Sequence, residues 1–209
     1  ELRPVVFVTH MEHHSNQTTW LESTADVEII SADENGLVDL NSLRGLLVKY
    51  SGRRFKIASI TSCSNVTGIF TPCYEIARIM HENGGWCFVD FACSAPYDKI
   101  DMHPEDPLCR LDAIFFSPHK FLGGPGSTGI LIFDKQLYDS QFSPDQPGGG
   151  TVKWTNPWGG YSFYDDIELR EDGGTPPFLQ TIKAALCIKL KEEMGEEAMM
   201  NRDKQIREY

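Results

Sequence analysis

Positive charge is scarce in this chain: its 209 residues carry 19 lysines and arginines against 30 aspartates and glutamates, a formal net charge of -11. So acidic a protein is a poor match for a nucleic acid or an anionic membrane, and neither is expected as a partner. No apolar run approaches the roughly 20 residues needed to cross a bilayer. The opening Glu1–Pro4 lacks the charged-then-apolar pattern of a secretory signal, so the expectation is a soluble, cytoplasmic protein. Paired cysteines are missing too. Cys63, Cys73, Cys87, Cys93, Cys109 and Cys187 form no C-x-x-C spacing and mostly lie in apolar segments, which predicts reduced core thiols rather than disulfides or a zinc site. The stretch His10-Met11-Glu12-His13-His14 does not spell H-E-x-x-H and leaves a strand, so no metal is expected. Gly124, Gly126 and Gly129 satisfy G-x-G-x-x-G, but a strand rather than a helix follows, which rejects a dinucleotide site.

What the chain does contain is alternation. Apolar runs at Val5–Val8, Val27–Ile30, Phe55–Ile60, Trp86–Val89, Ala113–Phe116 and Gly129–Phe133 read as strands, several of them continuous enough to be buried on both faces. Between them lie helical patterns. One begins near Ser15. A second is capped by Asp39 and carries Leu40, Leu43, Leu47 and Tyr50 on one face. A third is opened by Thr71 as cap and Pro72 in the first turn, with Cys73, Ile76, Ala77 and Met80 buried. Such an order predicts an α/β fold with a mainly parallel sheet flanked by helices. After Phe133 the pattern loosens through Gly148–Gly150, Trp154 and Trp158, consistent with a long loop or a small antiparallel excursion. Thr175-Pro176-Pro177 then caps a helix whose stripe is Phe178, Ile182, Ala185, Leu186 and Leu190, ending at Gly195.

In parallel sheets, ligands bind beyond the carboxyl ends of the strands. Four of these ends carry His13, Asn65, Asp90 and the group Ser117–Lys120. Lys120 stands out because it lies between a histidine and a glycine run, beside two apolar strands. Partial desolvation there would lower its pKa and free the amine to form a Schiff base with an aldehyde. Singly, each of these residues is better explained as a cap, a turn or a solvated loop residue. Their ordered combination carries the functional reading.

Together they resemble the class V aminotransferase family of pyridoxal-phosphate enzymes, especially its cysteine desulfurase and selenocysteine lyase branch. Met11–His14 resembles the family segment whose histidine, here His13, stacks on the cofactor ring. Ser64-Asn65 ahead of Gly68 resembles its asparagine motif. Phe88–Ala92 resembles the strand whose aspartate, here Asp90, pairs with the pyridine nitrogen. Ser117-Pro118-His119-Lys120 resembles the S-x-H-K signature, in which the lysine forms the Schiff base and the serine and histidine help to hold the cofactor. Gly173–Pro176 resembles a G-T-P segment whose threonine, here Thr175, reaches the phosphate in the partner subunit.

The resemblance implies the large domain of the type I aminotransferase fold, truncated at both ends, with pyridoxal 5'-phosphate as cofactor, an amino-acid substrate and a homodimer. Residues 1–195 would be part of that cofactor domain and 196–209 the start of a helix leading to an absent small domain. Lys120 and His13 would be catalytic; Lys120, Asp90, His13, Asn65, Ser117, His119 and Thr175 would bind the cofactor. Cys93 departs from the pattern, standing where desulfurases usually carry glutamine. Transaminase, epimerase or kynureninase-like chemistry and a non-catalytic dimerisation module remain alternatives. The chain alone is expected to lack desulfurase activity, with Cys109, in a loop beside Arg110, the one thiol worth testing.

Overall fold

The computed structural model describes residues 2–208. Its centre is a six-stranded sheet of order β2-β1-β3-β4-β5-β6, built from β1 (Val5–Thr9), β2 (Asp26–Ile30), β3 (Lys56–Thr61), β4 (Trp86–Asp90), β5 (Ala113–Phe116) and β6 (Ile130–Phe133). The first five strands pair in parallel, and β6 closes the edge antiparallel to β5, with Ala113 opposite Phe133. The mainly parallel α/β sheet expected from the alternation is therefore present. Its strand order reverses at β1, the kind of switch point where such sheets open a ligand crevice.

Strand alternation sorts the core into two layers. Val5 and Phe7 of β1, Ala58 and Ile60 of β3, and Val89 of β4 pack under α2 (Leu40–Lys49) and α3 (Cys73–Glu82). Val6 and Val8 turn the other way, against Trp20 of α1 (His14–Leu21). The Asp39 cap is formed as expected: its side chain accepts from the Asn41 N–H at 2.8 Å, and Leu43 and Leu47 face the core.

Two other caps are corrected. Helix α3 starts at Cys73 with Pro72 in the cap position, and no side chain caps it. Thr71 is not the cap because its carbonyl, not its hydroxyl, takes the Cys73 N–H at 2.8 Å. Likewise α5 (Phe178–Met194), which follows the short α4 (Ile167–Glu171), starts after Pro177 without a side-chain cap, so Thr175 lies outside the helix start. The expected stripe of α5 is also revised. Phe178, Ile182 and Leu186 are exposed, whereas Ala184 and Cys187 are buried and Lys191 Nζ donates to the Ala95 carbonyl at 2.9 Å. Small side chains at Ala184 and Cys187 let this face approach the body of the domain. Gly195, at φ 81°, separates α5 from α6 (Glu196–Arg207). The region holding the tryptophans forms a separate antiparallel hairpin, β7 (Val152–Thr155) and β8 (Tyr161–Phe163).

A buried charge pair ties α3 to the entry of β5. His81 Nε2 lies 2.9 Å from Asp112 Oδ2, and Nδ1 lies 2.7 Å from the Leu108 carbonyl oxygen. Both partners are acceptors, so the protonated ring, which donates from both nitrogens, is the form that satisfies them. The Asp112 hydrogen bond raises the His81 pKa above the ordinary histidine value, against the cost of burial. Stability from this pair is fully present below the unfolded histidine pKa and is lost as pH rises through the raised folded value. His81→Ala should cost roughly 3 kcal/mol at mildly acidic pH. Thermal melts across pH check this: the gap from the parent protein should narrow as pH increases.

Candidate active site

The site forms where β1, β3, β4 and β5 end together. Glu12, in the turn after β1, ties this edge together. Its Oε1 accepts from the Thr9 hydroxyl at 2.6 Å, the Thr9 N–H at 3.2 Å and the Thr61 N–H at 2.9 Å, and its Oε2 accepts from Asn16 Nδ2 at 2.8 Å. Burial raises the Glu12 pKa, and these donors pull it back. Asn16 completes the link to β3, accepting from the Ser59 hydroxyl at 2.8 Å. The turn is thereby fixed to the neighbouring strand, and the next residue, His13, has a defined place as the cap of α1. Its Nδ1 accepts from the Ser15 N–H at 3.3 Å, which leaves Nε2 as the ring's donor.

Beyond β3 the chain folds into a tight turn in which Ser64 Oγ accepts from the Thr67 N–H at 3.2 Å and Gly68 takes φ 71°. Asn65 sits exposed on that turn. Asp90 ends β4 in a buried position, with Oδ1 accepting from the Ala92 N–H at 2.8 Å. Burial raises its pKa, opposed by that N–H and then by electrostatic attraction towards Lys120 and His13. One N–H is little compensation for a buried carboxylate, so Asp90 stands to gain from a further donor, above all a cationic one.

Lys120 stands on a single 3-10 turn, Pro118–Lys120, after β5. It is exposed to the cavity rather than partly desolvated as expected, because a one-turn helix at the sheet's edge leaves its side chain in the open cleft. Gly124 holds this turn in place. A Cβ there would lie 1.9 Å from the Pro118 carbonyl oxygen and 2.9 Å from that of Phe121. Gly124→Ala should therefore push the Lys120 turn away at a cost of about 1–3 kcal/mol. A melting temperature equal to the parent's would show that the contact is unimportant.

His13, Asn65, Asp90, Ser117, His119 and Lys120 all line one cavity of about 840 Å³. Thr175 does not; it is exposed, on a segment fastened to the preceding loop by the Gly174 N–H to Gly149 carbonyl bond at 2.7 Å. Cys93 lines the cavity as well. Cys109 is corrected from an open loop to a buried 3-10 turn, its sulfur 3.4 Å from Arg78 Nη2. Among the described residues no group of three or more His, Cys, Asp and Glu side chains could hold a metal, and no helix is long and apolar enough to cross a membrane. Glu12, Asn16 and Thr61 went unrecognised in the sequence. The available signal was the helical spacing from Glu12 to Asn16 across the His13 cap.

This donor set suits an aldehyde-bearing aromatic cation with an anionic tail. The cavity offers a primary amine, an under-compensated buried carboxylate, an imidazole and the Ser117 hydroxyl on one wall. A model of the aminotransferase class-V family matches residues 3–209. Among curated relatives, a cysteine desulfurase of Haloferax volcanii is 29% identical over 98% of this chain and 46% of its own length. A probable cysteine desulfurase of Staphylococcus epidermidis is 30% identical over 98% of the chain and 48% of its own. A cysteine desulfurase from Thermococcus onnurineus NA1, solved in its apo form, superposes with a TM-score of 0.76 at 26% identity, covering 94% of this chain and 47% of that one. The chain thus spans about half the length of these relatives.

Proposed function

Because the chain belongs to the class-V aminotransferase family, we propose that it is the cofactor-holding part of a pyridoxal 5'-phosphate enzyme that acts on an amino acid as a cysteine desulfurase does. The observation that carries this reading is the buried Asp90 carboxylate, with one N–H partner among the described residues, in one cavity with Lys120 and His13. Bound there, pyridoxal phosphate would supply an electron sink for the carbanion at the substrate's α carbon. Asp90 would hold a proton on the ring nitrogen, since a carboxylate stabilises the charged pyridinium. Lys120 would hold the cofactor through Nζ, and the same amine would be the group that takes and returns the substrate's α proton. His13 would lie against the ring, its Nε2–H available as donor. Asn65 would approach the ring hydroxyl, and Ser117 and His119 would hold the cofactor from the β5 side.

We further propose that residues 1–195 belong to the cofactor domain, that Thr175 serves the phosphate of the neighbouring subunit in a homodimer, and that the protein works in the cytoplasm. The exposed position of Thr175 outside its own cavity supports the dimer. A cofactor-loaded monomer in sedimentation would contradict it. The functional reading itself is tested by titrating the protein with pyridoxal phosphate and following visible absorbance. Saturable yellow colour that disappears in Lys120→Ala is expected. A spectrum identical to that of the cofactor mixed with free lysine would reject the reading.

A further inference from the structure

Two thiols meet at one carbonyl oxygen in the cavity wall. Cys63 Sγ lies 3.8 Å from the Ser64 carbonyl oxygen, and Cys93 Sγ lies 3.9 Å from the same atom. The sulfurs are thus no farther apart than these two distances laid end to end, and both residues line the cavity. Adjacent strands enforce the meeting. Thr61 of β3 pairs with Asp90 of β4, the Ser62 N–H donates to the Asp90 carbonyl at 2.8 Å, and the Ser62 and Ser94 hydroxyls are 2.7 Å apart. Contact of both sulfurs with one oxygen leaves only side-chain rotation to bring them to bonding distance, about 2 Å.

We propose that Cys63 and Cys93 form an oxidisable dithiol, a modification site in the cavity wall that a hydroperoxide converts to an intramolecular disulfide. Cys93 reacts first, being only partly buried while the other five cysteines are buried. Its thiolate attacks the peroxide oxygen and the O–O bond breaks. The sulfur becomes a sulfenic acid, and the departing oxygen leaves as alcohol or water with the thiol's proton. The Cys63 thiol, held beside the Cys93 sulfur by their shared contact with the Ser64 carbonyl, then attacks that sulfur, forming the S–S bond and expelling hydroxide, which leaves as water with the Cys63 proton. Overall the two thiols lose two electrons and the peroxide gains them. The neighbouring thiols do not compete. Burial pushes the Cys73 thiol up to about 12 and the Cys87 thiol well above its ordinary value, so neither supplies thiolate near neutral pH.

The test is to treat the whole chain with equimolar hydrogen peroxide, alkylate the remaining thiols and map peptides without reduction. One cross-linked peptide joining Cys63 to Cys93 is expected, with the loss of a pair of thiols reversed by dithiothreitol. Cys63→Ser should instead accumulate a Cys93 sulfenic acid that dimedone traps, and Cys93→Ser should keep its thiols at this dose. Melts of both reduced variants check that they fold. Should either fail to fold, wild-type protein still decides the matter, since phenylarsine oxide needs two neighbouring thiols and its uptake should be blocked by prior oxidation. Thiol loss without the Cys63–Cys93 peptide, a cross-link joining a different pair, or arsenical uptake unchanged by oxidation would overturn the proposal.

Discussion

Lys120→Ala should abolish pyridoxal-phosphate-dependent turnover of amino acids by the full-length protein, while leaving the fold nearly untouched. The loss should reach at least 10³-fold, since a positioned proton-transfer group alone contributes on the order of 10²–10⁴ and this residue would also anchor the cofactor. Stability should change by no more than about 0.5 kcal/mol, because Lys120 is exposed and no hydrogen bond or ion pair to its Nζ occurs among the described residues. Steady-state assays beside thermal melts separate the two effects. Turnover surviving in the variant would remove Lys120 from the chemistry.

Asp90→Asn should separate function from stability in a different way. An amide cannot hold the ring nitrogen protonated, and losing a preorganised charge of this kind costs on the order of 10²–10³ in rate. The fold should be unharmed or stabilised. Asp90 is buried and its pKa is raised by that burial, so the folded state favours the protonated acid. Its contribution is favourable below the unfolded carboxylate pKa and is lost as pH rises through the raised folded value. At neutral pH the charged form is a burden that Asn removes, while Asn Oδ1 can still accept the Ala92 N–H. Melts should show the variant equal to or above the parent at pH 7, with the advantage shrinking in acid. A variant markedly less stable at pH 7 would mean that the Asp90 charge is compensated by more than Ala92, Lys120 and His13.

Much of this architecture was legible because buried parallel strands are written as near-continuous apolar runs, and because their carboxyl ends share one edge. That logic groups His13, Asn65, Asp90, Ser117, His119 and Lys120, and one cavity holds them all. Local chemistry misled at the prolines. Thr71-Pro72 and Thr175-Pro176-Pro177 look like caps, yet in each case a proline occupies the cap position and no side chain closes the turn. Long-range contacts were the least visible. The role of Glu12 depends on β3 lying beside β1, which places the Thr61 N–H on its carboxylate. Residue periodicity does not encode which strands become neighbours. Nor does it say which face of α5 turns inward: Phe178, Ile182 and Leu186 are exposed, and packing is made by Ala184, Cys187 and the half-buried Ile188.

Of the lysines in the chain, Lys120 is the one that should bond the cofactor's aldehyde. Incubating the protein with pyridoxal phosphate, reducing with borohydride and locating the tag by peptide mapping tests it directly. A stoichiometric tag on Lys120 is expected, with Lys99 and Lys135 unmodified. A tag on either of those lysines, or one scattered over the surface lysines, would contradict it.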